Sequence, residues 1–199
     1  GALTLGELWA FPIMMRLALI ENLRRVSVHV ARALRQRAYA VAWGERLVEL
    51  AEKSPSEQVQ VVAELERASR EHALLIPAFV AELTRRVQGL SPALSVVVTW
   101  LDQRLGETGG SIEQLVQVDN QTQAADQASI GNCITSLRTL AAIDWRRFVE
   151  SQSKVEAALR GDPAGVHGRG DFATRDACRH RVEDLAKRSR LDEVQVAEH

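Results

Sequence analysis

The sequence predicts an all-α fold of irregular antiparallel helical hairpins, arranged either as a bundle or as a solenoid-like stack of the tetratricopeptide kind. Three observations carry that prediction. Aromatic residues make up only 5% of the 199 residues, with 12 glycines and 5 prolines, a composition that favours helix over β-sandwich. Apolar residues recur at steps of three or four along most of the chain, the period of one helix face. Helix-start signals, an Ser, Thr or Asp followed three residues on by Glu or Gln, punctuate it repeatedly.

Thr4-Leu5-Gly6-Glu7 is the first such signal. Pro12 then falls where a first turn tolerates it or where a helix kinks. Ile13, Leu17, Ile20, Leu23, Val26, Val30 and Leu34 form one apolar stripe, with Arg16, Glu21, Arg24, Arg25, Arg32 and Arg35 filling much of the remaining circumference. Unbroken to Lys53, this helix would run roughly 60 Å; Trp43-Gly44 is a point where it could bend. Ser54-Pro55-Ser56-Glu57 opens a second helix, continued by Val59, Val62 and Leu65. Ile76, Phe79, Val80, Leu83 and Val87 carry the next, which Pro77 either opens or kinks. Ser91-Pro92 starts another, lined by Leu94, Val97, Val98, Leu101 and Leu105. Its Ser95–Thr99 run is β-branched, but the helical spacing persists two turns beyond it, so helix is the reading.

Gly106–Gly110 is the first clear loop. Ser111 with Gln114 caps a long helix whose middle, Gln117 to Asn132, is rich in amides. Asp144 begins a short helix through Trp145 and Phe148, and Ser153 with Glu156 caps another. Gly161–Gly170 holds four glycines and Pro163, a flexible or tightly turned loop. A long helix follows from about Asp171 to Ser189, and Asp192-Glu193 starts one more. No strict repeat is found. Residues 1–199 read as a single all-helical region, with 1–106 and 111–199 as candidate sub-lobes. Helix starts close to both ends suggest a segment of a larger chain.

Charge and cysteine usage narrow the function classes. The formal net charge is −1, from 25 Lys+Arg against 26 Asp+Glu, which argues against general nucleic-acid binding and polybasic membrane adsorption. The most apolar window, Leu3 to Ile20, contains Glu7, Pro12 and Arg16 and is neither a membrane span nor a signal peptide. Cys133 and Cys178 form no CxxC pair, so a reducing compartment is the simpler expectation.

Searching for chemistry gives little. The Gly161–Gly170 loop matches no phosphate-binding fingerprint and follows no strand. Asp171, Asp176, Cys178 and His180 lie within ten residues, but a helix cannot turn all four to one side, so no metal site is expected. No nucleophile motif is present, and the paired carboxylates Glu64/Glu66 and Asp192/Glu193 point apart. No catalytic residue and no cofactor are expected. The amide-rich stretch is the oddest feature: Gln123, Asp126, Gln127 and Asn132, interleaved with alanines, would make either a polar helix–helix seam or contacts to sugar hydroxyls.

Three separated blocks carry a resemblance. Leu3–Ala10 with Met15–Arg25 form the first; Gln123–Arg138 with Asp144-Trp145 the second; Asp162–Val166, Asp171–Asp176 and Arg179-His180 the third. In that order they resemble the N-terminal helical region of bacterial cyclic β-1,2-glucan synthases. Cys133, His167, Gly170 and Cys178 depart from the usual pattern, and residues 40–110 match only in helical character. The resemblance implies a very large enzyme at the bacterial inner membrane. In it a glycosyltransferase module builds β-1,2-glucan from UDP-glucose on a protein-attached primer, and a phosphorylase-like module trims the chain. Transferases of that class carry a DxD and a QxxRW; this sequence has neither, Trp145-Arg146-Arg147 having the reverse order.

Two readings follow. In one, the chain is a non-catalytic helical scaffold on the cytoplasmic side of that membrane, with the transferase and phosphorylase-like modules as partners, and β-1,2-glucan as a further candidate ligand. Asp171, Arg175, Asp176, Arg179 and His180 are its candidate functional patch, since Asp176/His180 and Arg175/Arg179 share helix faces. In the other, it is an independent α-helical protein-interaction adaptor. Tyr39, the only tyrosine, would be the attachment point of any tyrosine-linked primer here, with core packing as its simpler role.

Overall fold

The computed structural model describes residues 3–53, 58–71, 75–89 and 94–199. Among them are ten helices and no strand: α1 (Leu5–Lys53), α2 (Gln58–Glu71), α3 (Pro77–Val87), α4 (Ser95–Glu107), α5 (Ile112–Ala142), α6 (Trp145–Gln152), α7 (Lys154–Leu159), α8 (Val166–Arg169), α9 (Phe172–Lys187) and α10 (Glu193–Glu198). The all-α class read from composition and spacing is the observed one.

Local chemistry sets most boundaries. The Thr4 N–H donates to Glu7 Oε2 at 2.8 Å and the Glu7 N–H to Thr4 Oγ1 at 3.3 Å, satisfying two end donors reciprocally. Ser111 and Gln114 do the same for α5, and Asp192 with Gln195 for α10. Pro77 is the first residue of α3, so it opens a helix. Pro12 lies two turns inside α1, and α1 runs without interruption through Trp43-Gly44. Ser95–Thr99 is helical. The Ser54–Glu57 and Ser91-Pro92 start signals lie outside the described residues. One expected box takes a different form. Ser153 Oγ accepts from the Glu156 N–H, while the Ser153 N–H goes to Val149 and the Glu156 carboxylate turns elsewhere.

The chain divides into two compact units, 23–132 and 1–22 with 133–199. Their boundaries fall inside α1 and α5. The unit of residues 23–132 has the larger core: Ala40 and Leu47 of α1, Val61 and Leu65 of α2, Phe79 and Leu83 of α3, and Val97 and Leu101 of α4 are buried together. Tyr39 packs against Trp43 and Phe79, with ring centroids 6.2 and 5.8 Å apart. Gly44 lets α3 approach α1, because a Cβ there would sit 3.0 Å from Arg86 Cδ.

The unit of residues 1–22 and 133–199 has a smaller apolar core of Leu5, Leu8 and Val149, with Trp9 and Phe148 against it. It ties the two ends of the sequence together: the Leu5 N–H, a free donor in the first turn of α1, donates to Glu193 Oε2 of α10 at 2.9 Å. Helix α10 packs on α7 and α9. Arg16 donates to the Leu140 carbonyl, and Asn22 Nδ2 to Cys133 Sγ at 3.1 Å. So small an apolar core leaves polar contacts to specify much of this unit.

Candidate functional site

Those polar contacts converge on Arg179. Four short elements bring acids and bases to it: α6 supplies Glu150, α7 supplies Glu156, α8 supplies His167, and α9 supplies Arg175, Asp176 and Arg179. The turn from Gly161 to Gly165 holds α8 in place. Gly165 takes a left-handed φ of +62°, and the Asp162 carboxylate accepts from the Ala164 and Val166 N–H groups at 2.9 Å each. The stretch between α7 and α9 is therefore a tight turn plus one short helix.

The side chain of Arg179 is 0% exposed and that of Glu156 is 1% exposed. Arg179 Nη1 donates to Glu156 Oε2 at 2.6 Å and to Glu150 Oε1 at 3.2 Å, and Nη2 donates to Asp176 Oδ1 at 2.9 Å. Its guanidinium lies over the Phe172 ring, 5.1 Å from the centroid. Arg175 grips Glu150 with a two-pronged fork, Nε to Oε1 at 2.8 Å and Nη2 to Oε2 at 3.1 Å, and also donates to the Gly170 carbonyl. Arg160 Nε donates to Glu156 Oε1 at 2.8 Å, and His167 Nε2 lies 3.1 Å from Oε2.

Three carboxylates thus meet three guanidiniums, which is what a buried charge requires. Burial pushes the Glu156 carboxyl up, but hydrogen bonds from His167, Arg160 and Arg179 outweigh it and hold it below the ordinary carboxylate value. The Arg175 fork, with help from Arg179 and against burial, likewise depresses Glu150. Burial works against the charge on Arg179, yet Asp176, Glu156 and Glu150 keep its pKa above the usual arginine value.

The five residues of the sequence-derived patch therefore separate. Arg175, Asp176 and Arg179 join the cluster. Asp171 is the N-cap of α9, accepting from the Thr174 N–H at 2.8 Å, and that backbone donor lowers its pKa. His180 is half-exposed on the outer side of α9, 3.1 Å from Glu183 and 3.6 Å from Asp176. Glu150, Glu156, Arg160 and His167 were missed. Glu156 carries a signal, three residues after Ser153, that fits a capping residue, and His167 stands out in sequence only as a departure from the family pattern.

The amide-rich stretch of α5 lies in the unit of residues 23–132, where its anchor is Asp119, 6% exposed. Arg37 Nη2 of α1 donates to both its oxygens, at 2.8 and 3.0 Å, and Gln123 Nε2 donates to Oδ2 at 2.8 Å. Asp126 lies 2.9 Å from His29. Gln127 lines a groove with Val30, Leu34 and Ile130, and Asn132 is exposed. Asp119 and Asp126 thus cross-link α5 to α1, and Gln123 braces Asp119 from within α5.

Among the described residues no group of three His, Cys, Asp or Glu side chains is placed to hold a metal ion. Cys133 is buried and Cys178 exposed, and both are free thiols. Among these residues no helix is long and apolar enough to cross a membrane.

Over 198 residues the chain is 32% identical to cyclic beta-(1,2)-glucan synthase NdvB of Rhizobium meliloti (strain 1021), a match covering 98% of this chain. The chain is similar to part of a cyclic β-1,2-glucan synthase. It spans 7% of that synthase's length. No family model matches it. The alignment to the glucan synthase covers 98% of the chain, beyond the three blocks, so both charged constellations lie within the matched region.

Proposed function

We propose that this chain is a non-catalytic helical region of a cyclic β-1,2-glucan synthase, on the cytoplasmic side of the bacterial inner membrane. In this reading it scaffolds the transferase and phosphorylase-like modules that make and trim glucan from UDP-glucose. One observation carries the proposal: almost the whole chain matches a synthase of which it spans only 7%. The charge chemistry supports it. Arg179, Glu156 and Glu150 are paired with one another, an arrangement that fixes α6, α7 and α9. The sequence also carries neither DxD nor QxxRW. Because the match runs through the chain as part of a longer enzyme, a free-standing adaptor is the less favoured reading.

The test is glucan synthesis from labelled UDP-glucose by membranes holding the whole native polypeptide, with and without residues 1–199. Removing them is expected to lower glucan yield at least tenfold, while the 199 residues alone consume no UDP-glucose. Turnover by the isolated segment, or undiminished synthesis without it, would overturn the proposal.

A further inference from the structure

The first turns of α1 are apolar on both sides. One side carries Leu5 and Leu8 into the small core. The other is bare: Ile13, Met14, Leu17 and Ile20 are 57, 66, 60 and 54% exposed. Their spacing puts them on one strip of the helix, about 10 Å long from Ile13 to Ile20. Scattered single apolar residues on a surface are ordinary, but a contiguous strip of this kind marks a contact. Apolar anchors one and two turns apart are the pattern by which one helix seats against another.

The surroundings of the strip indicate its partner. Residues 5–25 of α1 carry Glu7, Arg16, Glu21, Arg24 and Arg25, three basic against two acidic, well short of the cluster of about four to eight basic residues that draws a helix to an anionic lipid surface. The relative it matches extends far beyond this chain, which covers 7% of its length. We propose that Ile13, Met14, Leu17 and Ile20 form a docking face for an apolar helix of the same synthase polypeptide outside these 199 residues. This rests on the reading of the chain as a region of a glucan synthase, and adds which surface meets the rest of that enzyme.

Cysteine protection in the whole native polypeptide tests it. Leu17→Cys, and in a second protein Ile20→Cys, are labelled with a charged maleimide, and peptide mass spectrometry gives each rate relative to the same protein unfolded in urea. Both positions are expected to be protected at least tenfold. A photo-crosslinker at position 14 is expected to join this face to residues of the same polypeptide beyond the segment. Protection below tenfold at both positions would overturn the proposal, as would crosslinks to lipid or to a second copy. Failure of the underlying reading would show differently, as intact glucan synthesis after deletion of residues 1–199.

Discussion

Arg179 and Glu156, 23 residues apart in sequence, meet at 2.6 Å with both side chains withdrawn from solvent. A buried pair of this kind gives little net stability compared with an apolar pair of the same shape, but breaking it strands a charge in a poorly solvated place. The pair is therefore best understood as specifying how α7 and α9 meet. It also sets the scale of what substitution here should do.

Arg179→Met leaves Glu156 with Arg160, His167 and the more distant Arg175 at 3.8 Å, and leaves Asp176 without its guanidinium. It should cost about 3 kcal/mol of unfolding free energy, the low end for breaking a buried pair. The double substitution Glu156→Leu with Arg179→Met should cost clearly less than the sum of the two singles. Urea denaturation of the four proteins in the cycle measures both quantities.

Acid should weaken the same unit. Glu156 and Glu150 have pKa values held below the ordinary 4.5, so near that pH the unfolded chain binds more protons than the folded one. Their contribution is complete above about pH 4.5 and is lost as pH falls through their lowered folded values. Glu150→Gln should flatten this dependence. Unfolding midpoints followed by tryptophan fluorescence between pH 7 and 3 give the test.

In the unit of residues 23–132, Asp119→Ala removes the acceptor of both Arg37 and Gln123. With Arg37 partly solvated, the cost should be about 2 kcal/mol, less than at Arg179. Gln123→Ala, which leaves the Arg37 pair whole, should cost no more than about 1 kcal/mol. Urea midpoints of the two variants would rank them.

Asp171→Ala should cost about 1 kcal/mol through loss of the α9 cap, and Asp171→Asn only a few tenths. His180→Ala, on the outer side of the helix, should fall within about 0.5 kcal/mol of the parent. Thermal unfolding separates these effects, and equal losses for Asp171→Ala and Asp171→Asn would mean that the charge matters beyond the cap.

The helices were legible because their signals are short-range. Thr4 with Glu7, Ser111 with Gln114 and Asp192 with Gln195 close their hydrogen bonds within three residues, so neighbours in sequence suffice to find them. The same logic misassigned Glu156: its place three residues after Ser153 fits a capping box, but the stronger attraction comes from Arg179. Asp176 and His180 do share a helix face and lie 3.6 Å apart, but Arg179, three residues on, is the nearer partner at 2.9 Å.

By itself the sequence determined that this chain is helical, where most helices begin, and which enzyme it is related to, because periodicity, caps and shared residues are all written along the chain. Only the tertiary structure decided which charges are buried. Leu5 with Glu193, Arg37 with Asp119 and Arg179 with Glu150 are joined across 188, 82 and 29 residues. A charged side chain on a helix surface looks the same in sequence whether it faces water or a partner. What separates the two outcomes is desolvation, set by the elements that fold over it.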